Sequence, residues 1–516
     1  MFEKGIRVYL FDRLACTPLV PFTIRHIHAV AGVMVTASHN PKEDNGYKVY
    51  WENGSQIIAP HDKGISKYID SNLVPWTNPV TKQVIYNDET LTEANIRQNP
   101  LCFPNTTTEM IQTYIQAVSK ELCHYPTENN DTSLPHVKVA YTAMHGVGKP
   151  FSTAAFEAFH LPPFILTPEQ VEPDPTFPTV PFPNPEEGKG ALLLAMATAD
   201  KHDCNIILAN DPDADRLAVA EWVPSSSTSM NSFKQRTSND KGEWKIFTGN
   251  EIGSLLAYWC WLCYTEQQKK AGTTNSSSPP IIIASTVSSK FIGAMAAVEG
   301  FVFQETLTGF KWMGNAIATH EENQRKVLFS YEEAIGFCCG TVVRDKDGVS
   351  AAAVFTEMAN YFARQGKTVT EQLEYLYQKY GYFISNNYYI FVDDPNKTTL
   401  IFNRLRNDGH YWAKLGDLHI RHIRDLTGKG WDSENFTNNC QPTLPTSSST
   451  QMLTYKLSNG VVLTLRTSGT EPKLKYYCEG SGKDPISTKK EVDRTVELVI
   501  NEMLQPEKYN LKRPNK

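Results

Sequence analysis

The sequence predicts an α/β protein of several domains with mixed or parallel sheets, followed by a smaller C-terminal α+β domain. Three observations lead there. At 516 residues the chain exceeds what one hydrophobic core serves, so three or four domains are expected. Apolar runs of strand length alternate with helical patterns along most of it, the βαβ rhythm of helix-covered sheets. Beyond a Gly-Tyr-Phe segment at 381–383 the pattern changes to tyrosine-rich short strands and one final helix.

Taken in order, Gly5 to Phe11 reads as a strand, Pro18 to Ala31 as a helix and Gly32 to Thr36 as a second strand. Val137 to Tyr141, Asn205 to Ala209 and Ile281 to Ala284 repeat the strand theme with helical segments between them. The longest apolar stretch, Ile252 to Tyr264, is too short to span a bilayer and reads as a core helix. Polar breaks fall at 124–136, 223–243 and 267–280, and a Ser/Thr/Asn/Pro-rich loop at 433–450. The strand Val461 to Leu465 follows, and Val492, Val496, Val499 and Met503 then share one face of a closing helix.

Composition narrows the function classes. A hydrophobic content of 41% and a charged content of 21% are those of a globular protein, and the formal net charge is −6 without long like-sign runs. Nucleic acid and anionic membranes are therefore not expected as partners. The ten cysteines, including Cys338-Cys339 and Cys260-x-x-Cys263, lack a second pair or histidines at zinc spacing and read as buried reduced thiols. No signal peptide pattern opens the chain, so a cytoplasmic location and an accidental sequon at Asn105 are expected.

Four loops carry the chemistry. Thr36-Ala37-Ser38-His39-Asn40-Pro41 follows an apolar strand and presents a hydroxyl at a sheet edge, although an Asn-Pro turn with a capping serine is the stronger reading of these residues alone. The Asn45-Gly46 turn can fold Lys48 back beside Ser38, where an ammonium would stabilise anionic oxygen and shuttle a proton. Asp211, Asp213 and Asp215 at i, i+2 and i+4 offer three hard oxygens suited to Mg²⁺. Arg216 and Trp222 stand where an EF-hand would need glycine and glutamate, so calcium is disfavoured. Arg216 itself could hold a phosphate.

The third group comprises Thr308-Gly309-Phe310-Lys311-Trp312, Tyr331 to Gly336 and Arg344 to Gly348. In it Glu332 could pair with vicinal sugar hydroxyls and Lys346 could face a phosphate; ordinary surface loops are the competing reading. The fourth is Arg466-Thr467-Ser468-Gly469-Thr470, a compact cradle of arginine fork, hydroxyls and glycine that suits an anion.

All four loops, in this order, resemble the α-D-phosphohexomutase superfamily. Within it Glu332-Glu333-Ala334-Ile335-Gly336, Thr306 to Asn315 and Pro185 to Gly190 look most like the phosphopentomutase branch, which also includes a glucose 1,6-bisphosphate synthase. Ala334 stands where many glucose-specific relatives have serine. The resemblance implies domains arranged around a central cleft, divided here at 1–125, 126–246, 247–384 and 385–516. It implies Ser38 as phosphoserine and metal ligand, with His39 and Lys48 as catalytic partners. Asp211, Asp213 and Asp215 would bind one Mg²⁺. Arg216, Thr308, Gly309, Glu332, Lys346, Arg466, Ser468, Gly469 and Thr470 would bind substrate.

The implied activity is a mutase interconverting sugar 1-phosphates with 5- or 6-phosphates of ribose, deoxyribose and glucose, primed by glucose 1,6-bisphosphate. A glucose 1,6-bisphosphate synthase and a catalytically impaired phosphosugar-binding isoform are the alternatives. A monomer or weak dimer is expected, with phosphosugar its only partner. Only 37 residues precede Ser38, where family members carry a longer stretch, so the chain reads as a fragment or splice form of a longer enzyme.

Overall fold

The computed structural model describes residues 2–74, 93–103, 106–225, 233–237, 240–272, 278–448, 450–468 and 472–512. They form two compact units, Met1–Ser285 with Thr308–Gln372, and Thr286–Leu307 with Leu373–Lys516.

In the first unit the apolar run near the N-terminus forms only a short strand, Val8–Tyr9, parallel to Cys102–Phe103. The helix after it runs Leu19–Ile27 and stops where His28 takes a left-handed φ of 54°. The next strand, Ala31–Val35, pairs antiparallel with Tyr47–Trp51. The connection between them, residues 36–46, is shorter than a crossover needs, and the hairpin replaces the parallel neighbour that a βαβ reading suggests. Its inner face packs Met34 and Tyr50 on Val20 and Ile24. On the opposite face Val35 is 79% and Tyr47 63% exposed, and Val33 is half exposed.

A five-stranded mixed sheet follows, in the order Ile165–Leu166, Val139–Thr142, Ile206–Ala209, Ala218–Pro224 and Gly242–Ile246. Its first three strands are parallel and the last two antiparallel. The central strands are buried along their length, which explains why they read as unbroken apolar runs. The helix Gly249–Lys270 starts with a capping box between Thr248 and Glu251 and contains the apolar run at 252–264. Ile281–Ser285 pairs parallel with Val327–Glu332, which turns back antiparallel as Gly336–Cys339. The helix Gly348–Arg364 is buried almost throughout and packs on Gly148–Ala158.

The second unit is built on an antiparallel sheet. Its long strand Lys473–Gly482 pairs with Tyr382–Ser385 and Tyr388–Phe391 on one side and Val462–Thr467 on the other. The sheet continues through Met452–Leu457 to Leu418–Asp425. The final helix, Pro485–Leu498, runs into a turn of wider helix at Val499–Leu504. Val492, Val496, Val499 and Met503 pack with Leu453, Leu463, Leu465 and Cys478 into one core, the face that helical spacing indicated. All ten cysteines are free, and most are buried.

Candidate active site

The hairpin brings the serine loop out at the end of its first strand. Ser38 sits at φ 54°, a conformation that residues with a Cβ seldom adopt, and its N–H donates to Thr36 Oγ1 at 2.8 Å. The side chain turns to the aspartate loop: Oγ lies 2.9 Å from Asp211 Oδ2 and 3.0 Å from Asp213 Oδ1, so its single proton is shared between two carboxylates. His39 Nδ1 stands 3.3 Å from the same oxygen. Residues 173 and 175 positions apart in the sequence thus meet at one hydroxyl.

The aspartates lie just past the buried strand Ile206–Ala209. Their loop is seated on the residues after Val139–Thr142: Val147 N–H donates to Pro212 O at 2.8 Å, and a Cβ on Gly146 would lie 2.2 Å from Pro212 Cα. Gly146 is therefore needed for close approach rather than for flexibility. Asp211, Asp213 and Asp215 are all buried, and one oxygen from each lies within 4.8 Å of the others.

Three cations face this cluster. Lys48 reaches it because strand register pairs it with Met34 and turns its side chain inward; Nζ donates to Asp213 Oδ2 at 2.7 Å and also to Asp215 Oδ2. Lys346 Nζ lies 3.2 Å from Asp215 Oδ2. The Arg216 N–H donates to Asp211 Oδ1 at 3.0 Å, while its guanidinium reaches Ala334 O at 3.2 Å and Glu186 at 3.5 Å.

Electrostatics separates the groups. Burial, then the charges of Asp213 and Asp215, push Asp211 well above the ordinary carboxylate range. Burial opposes the Asp213 charge too, but Lys48 and the hydrogen bonds from Lys48 and Thr17 outweigh it and hold that carboxyl low. Lys48 is disfavoured by burial yet raised by Asp213, Asp215 and Asp345, so it stays an ammonium. His39 is pushed down to about 2 by burial and by the cations Arg216, Lys48 and Lys346, which leaves its ring neutral.

The donor set fits a small hard cation. It offers three buried carboxylates and one hydroxyl. Moreover, Asp215 Oδ1 is buried and accepts no hydrogen bond among the described residues, with Arg216 Nε 3.9 Å away. A buried carboxylate oxygen left so is costly unless a cation completes it.

Other residues singled out from the sequence fall around this centre or apart from it. Glu332 ends the strand Val327–Glu332, and a Cβ on Gly336 would meet both its Cγ, at 3.1 Å, and Lys346 Cδ, at 2.3 Å. Burial raises the Glu332 carboxyl against the pull of Lys346 and Arg216. Gly309, at φ 98°, precedes the helix Phe310–Glu322, and the Phe310 ring lies under Lys346 Nζ at 5.5 Å, which brings the Thr308-Gly309 turn to the same side. Arg466 and Ser468 belong to the second unit, where Ser468 N–H donates to Lys473 O at 2.9 Å. Gly469 and Thr470 lie outside the described residues.

Sequence reasoning missed three supports. Thr17 donates to Asp213, and Tyr50 and Gln56 donate to Asp345 Oδ2 at 2.7 and 2.8 Å beside Lys346. None sits in a motif; Tyr50 carried one signal, its place two residues beyond Lys48 on the same strand face.

Family models match four segments, described as phosphoglucomutase/phosphomannomutase α/β/α domains I, II and III at residues 1–74, 112–222 and 249–380 and a C-terminal domain at 422–494. A human phosphopentomutase is 45% identical over 99% of this chain and 78% of the relative. The chain belongs to the phosphoglucomutase/phosphomannomutase family. A second human member, a glucose 1,6-bisphosphate synthase, is 42% identical over 99% of the chain and 77% of its own length. The phosphoglucomutase parafusin of Paramecium shares the fold, with a TM-score of 0.61 at 17% identity over 97% of this chain and 83% of that one. Among the described residues no helix is long and apolar enough to cross a membrane.

Proposed function

We propose that this family member is an intramolecular phosphotransferase that moves phosphate between position 1 and position 5 or 6 of ribose, deoxyribose or glucose phosphates through a phosphorylated Ser38. The observation that carries the reading is the Ser38 hydroxyl held at 2.9 and 3.0 Å from two of three clustered, buried aspartates. Phosphoryl transfer asks little covalent chemistry of a protein beyond the nucleophile; it asks for charge neutralisation and alignment, and both are concentrated here.

Asp211, Asp213, Asp215 and the Ser38 oxygen would hold Mg²⁺, which when bound neutralises charge on the transferring group. In the forward step the bond between phosphorus and Ser38 Oγ breaks as one to the sugar oxygen forms. Lys48, kept charged and sharing Asp213 with Ser38, gives a proton to the departing serine oxygen and regains one from the sugar hydroxyl. His39, neutral, orients Ser38 through its Nδ1. Arg216 and Lys346 bind phosphate, Glu332 with Thr308 and Gly309 binds the sugar, and the Arg466 to Thr470 loop is itself a phosphate binder. Reorientation of a sugar bisphosphate and return of its other phosphoryl group to Ser38 complete the cycle, with glucose 1,6-bisphosphate as the priming donor.

Incubation with glucose 1,6-bisphosphate should add one phosphoryl group to the intact mass of the chain and none to Ser38→Ala. Coupled assays on ribose 1-phosphate and glucose 1-phosphate should show turnover falling by at least about 10³-fold in that variant. Undiminished turnover in Ser38→Ala refutes the reading. Bisphosphate release fed by 1,3-bisphosphoglycerate, without isomerisation, would assign the synthase activity instead.

A further inference from the structure

Thr17 stands far from every motif, yet it is fully buried and makes two bonds to the middle aspartate. Its hydroxyl donates to Asp213 Oδ2 at 2.6 Å, and its N–H donates to Asp213 O at 2.9 Å. It lies in the turn Cys16-Thr17-Pro18, immediately before the helix Leu19–Ile27, so a rigid element carries it. The two oxygens of Asp213 are then used differently. Oδ2 is turned back to Thr17 and Lys48, and Oδ1 faces the Ser38 hydroxyl.

A carboxylate on an unrestrained two-torsion side chain would rotate and present either oxygen, or swing wholly onto Lys48. Lys48 cannot prevent this alone, because its ammonium also serves Asp215 and sits on a flexible stem. The Thr17 hydroxyl, fixed to the main chain of the residue it orients, removes that freedom. We propose that Thr17 is a positioning residue for the metal-binding face of the site, clamping Asp213 so that Oδ1 points to the cation and to Ser38. This deepens the reading of Asp211, Asp213 and Asp215 as the cation site and rests on it. Partners of metal-binding carboxylates that do not themselves touch the metal commonly contribute 10- to 100-fold in affinity.

The test is Mn²⁺ binding to the dephosphorylated full chain, read by the loss of the free-ion paramagnetic signal and by calorimetry, with no substrate present. Thr17→Val keeps the volume and removes the donor; it should weaken Mn²⁺ binding by about 10- to 100-fold. Thr17→Ser restores the hydroxyl and should return affinity to within about threefold of the parent, a rescue that loss of packing would not give. Asp213→Asn serves as the control for the site itself and should lose Mn²⁺ binding. Thermal unfolding in chelator reports folding, and should Thr17→Val not accumulate, Thr17→Cys provides a weaker donor of similar size. Wild-type Mn²⁺ affinity in folded Thr17→Val, beside loss in Asp213→Asn, overturns the role of Thr17 and leaves the cation site standing. Unchanged binding in Asp213→Asn overturns both.

Discussion

Ser38 carries a backbone cost as well as a hydroxyl. At φ 54° an L-residue is strained by about 1–2 kcal/mol relative to glycine, while glycine loses roughly 0.5–1 kcal/mol more conformational freedom on folding. The strain outweighs the entropy, so Ser38→Gly should be more stable than Ser38→Ala by about 0.5–1 kcal/mol in urea unfolding. Equal or reversed stabilities would show that the loop relaxes and that the angle has no cost. Lys48 gives a second residue-scale outcome. Removing it leaves Asp213 and Asp215 without their closest cation, a loss of about 3–5 kcal/mol for a buried pair. Lys48→Met should therefore be destabilised by about 3 kcal/mol in chelator and by clearly less in millimolar Mg²⁺. A deficit that Mg²⁺ does not reduce would mean that ammonium and metal do not neutralise the same oxygens.

Between residues and the whole lie the strands, which decide what each side chain can reach. Lys48 meets the aspartates because it is paired with Met34, one residue before the strand end that leads to Ser38. The same alternation sends Val33, Val35 and Tyr47 to an exposed face. A valine pair exposed there contributes little to the fold, so Val33→Thr with Val35→Thr should change unfolding free energy by no more than about 0.5 kcal/mol each. The double variant should also bind less apolar dye. A large loss of stability would place those valines in a core.

In the second unit the strand Val302–Thr306 carries Glu305, ion-paired with Lys290 and with Arg424 at 3.3 Å. Burial works against its charge, but Lys290 and Arg424 outweigh it and bring the carboxyl down to about 2 from 4.5. Its contribution, about 3 kcal/mol, is fully present above pH 4.5 and is lost as pH falls toward 2. Glu305→Gln should accordingly flatten the acid limb of stability over that window. An acid limb identical to the parent's would exclude the pairing.

Strands and loops of this kind were legible in the sequence because burial on both faces writes an unbroken apolar run, as at Ile206–Ala209, and because site loops follow such runs directly. The aspartate spacing was legible for the same reason. Thr17 was not, since a lone Thr-Pro turn says nothing of a partner 196 positions away. Nor was the hairpin's antiparallel pairing, whose strands are joined through residues 36–46 and not by a tight turn.

At the scale of the molecule the net charge is −6, yet three of its carboxylates are crowded into one buried cluster in the first unit. Lys48, Lys346 and Arg216 offset part of this crowding and a bound metal ion offsets more, so occupancy should be visible in global stability. A ligand that binds the folded state alone adds about 2.7 kcal/mol at a concentration a hundred times its dissociation constant. For a unit of this size that is a rise of a few degrees in Tm. Calorimetric scans in chelator and in Mg²⁺ should show this rise in the parent chain and none in Asp213→Asn. Where the two units unfold in separate transitions, the transition of the unit holding Asp211, Asp213 and Asp215 should move and the other should stay. Equal shifts in parent and Asp213→Asn, or a shift confined to the unit that carries Glu305, would place the stabilising ion elsewhere and remove the cation from Ser38's side.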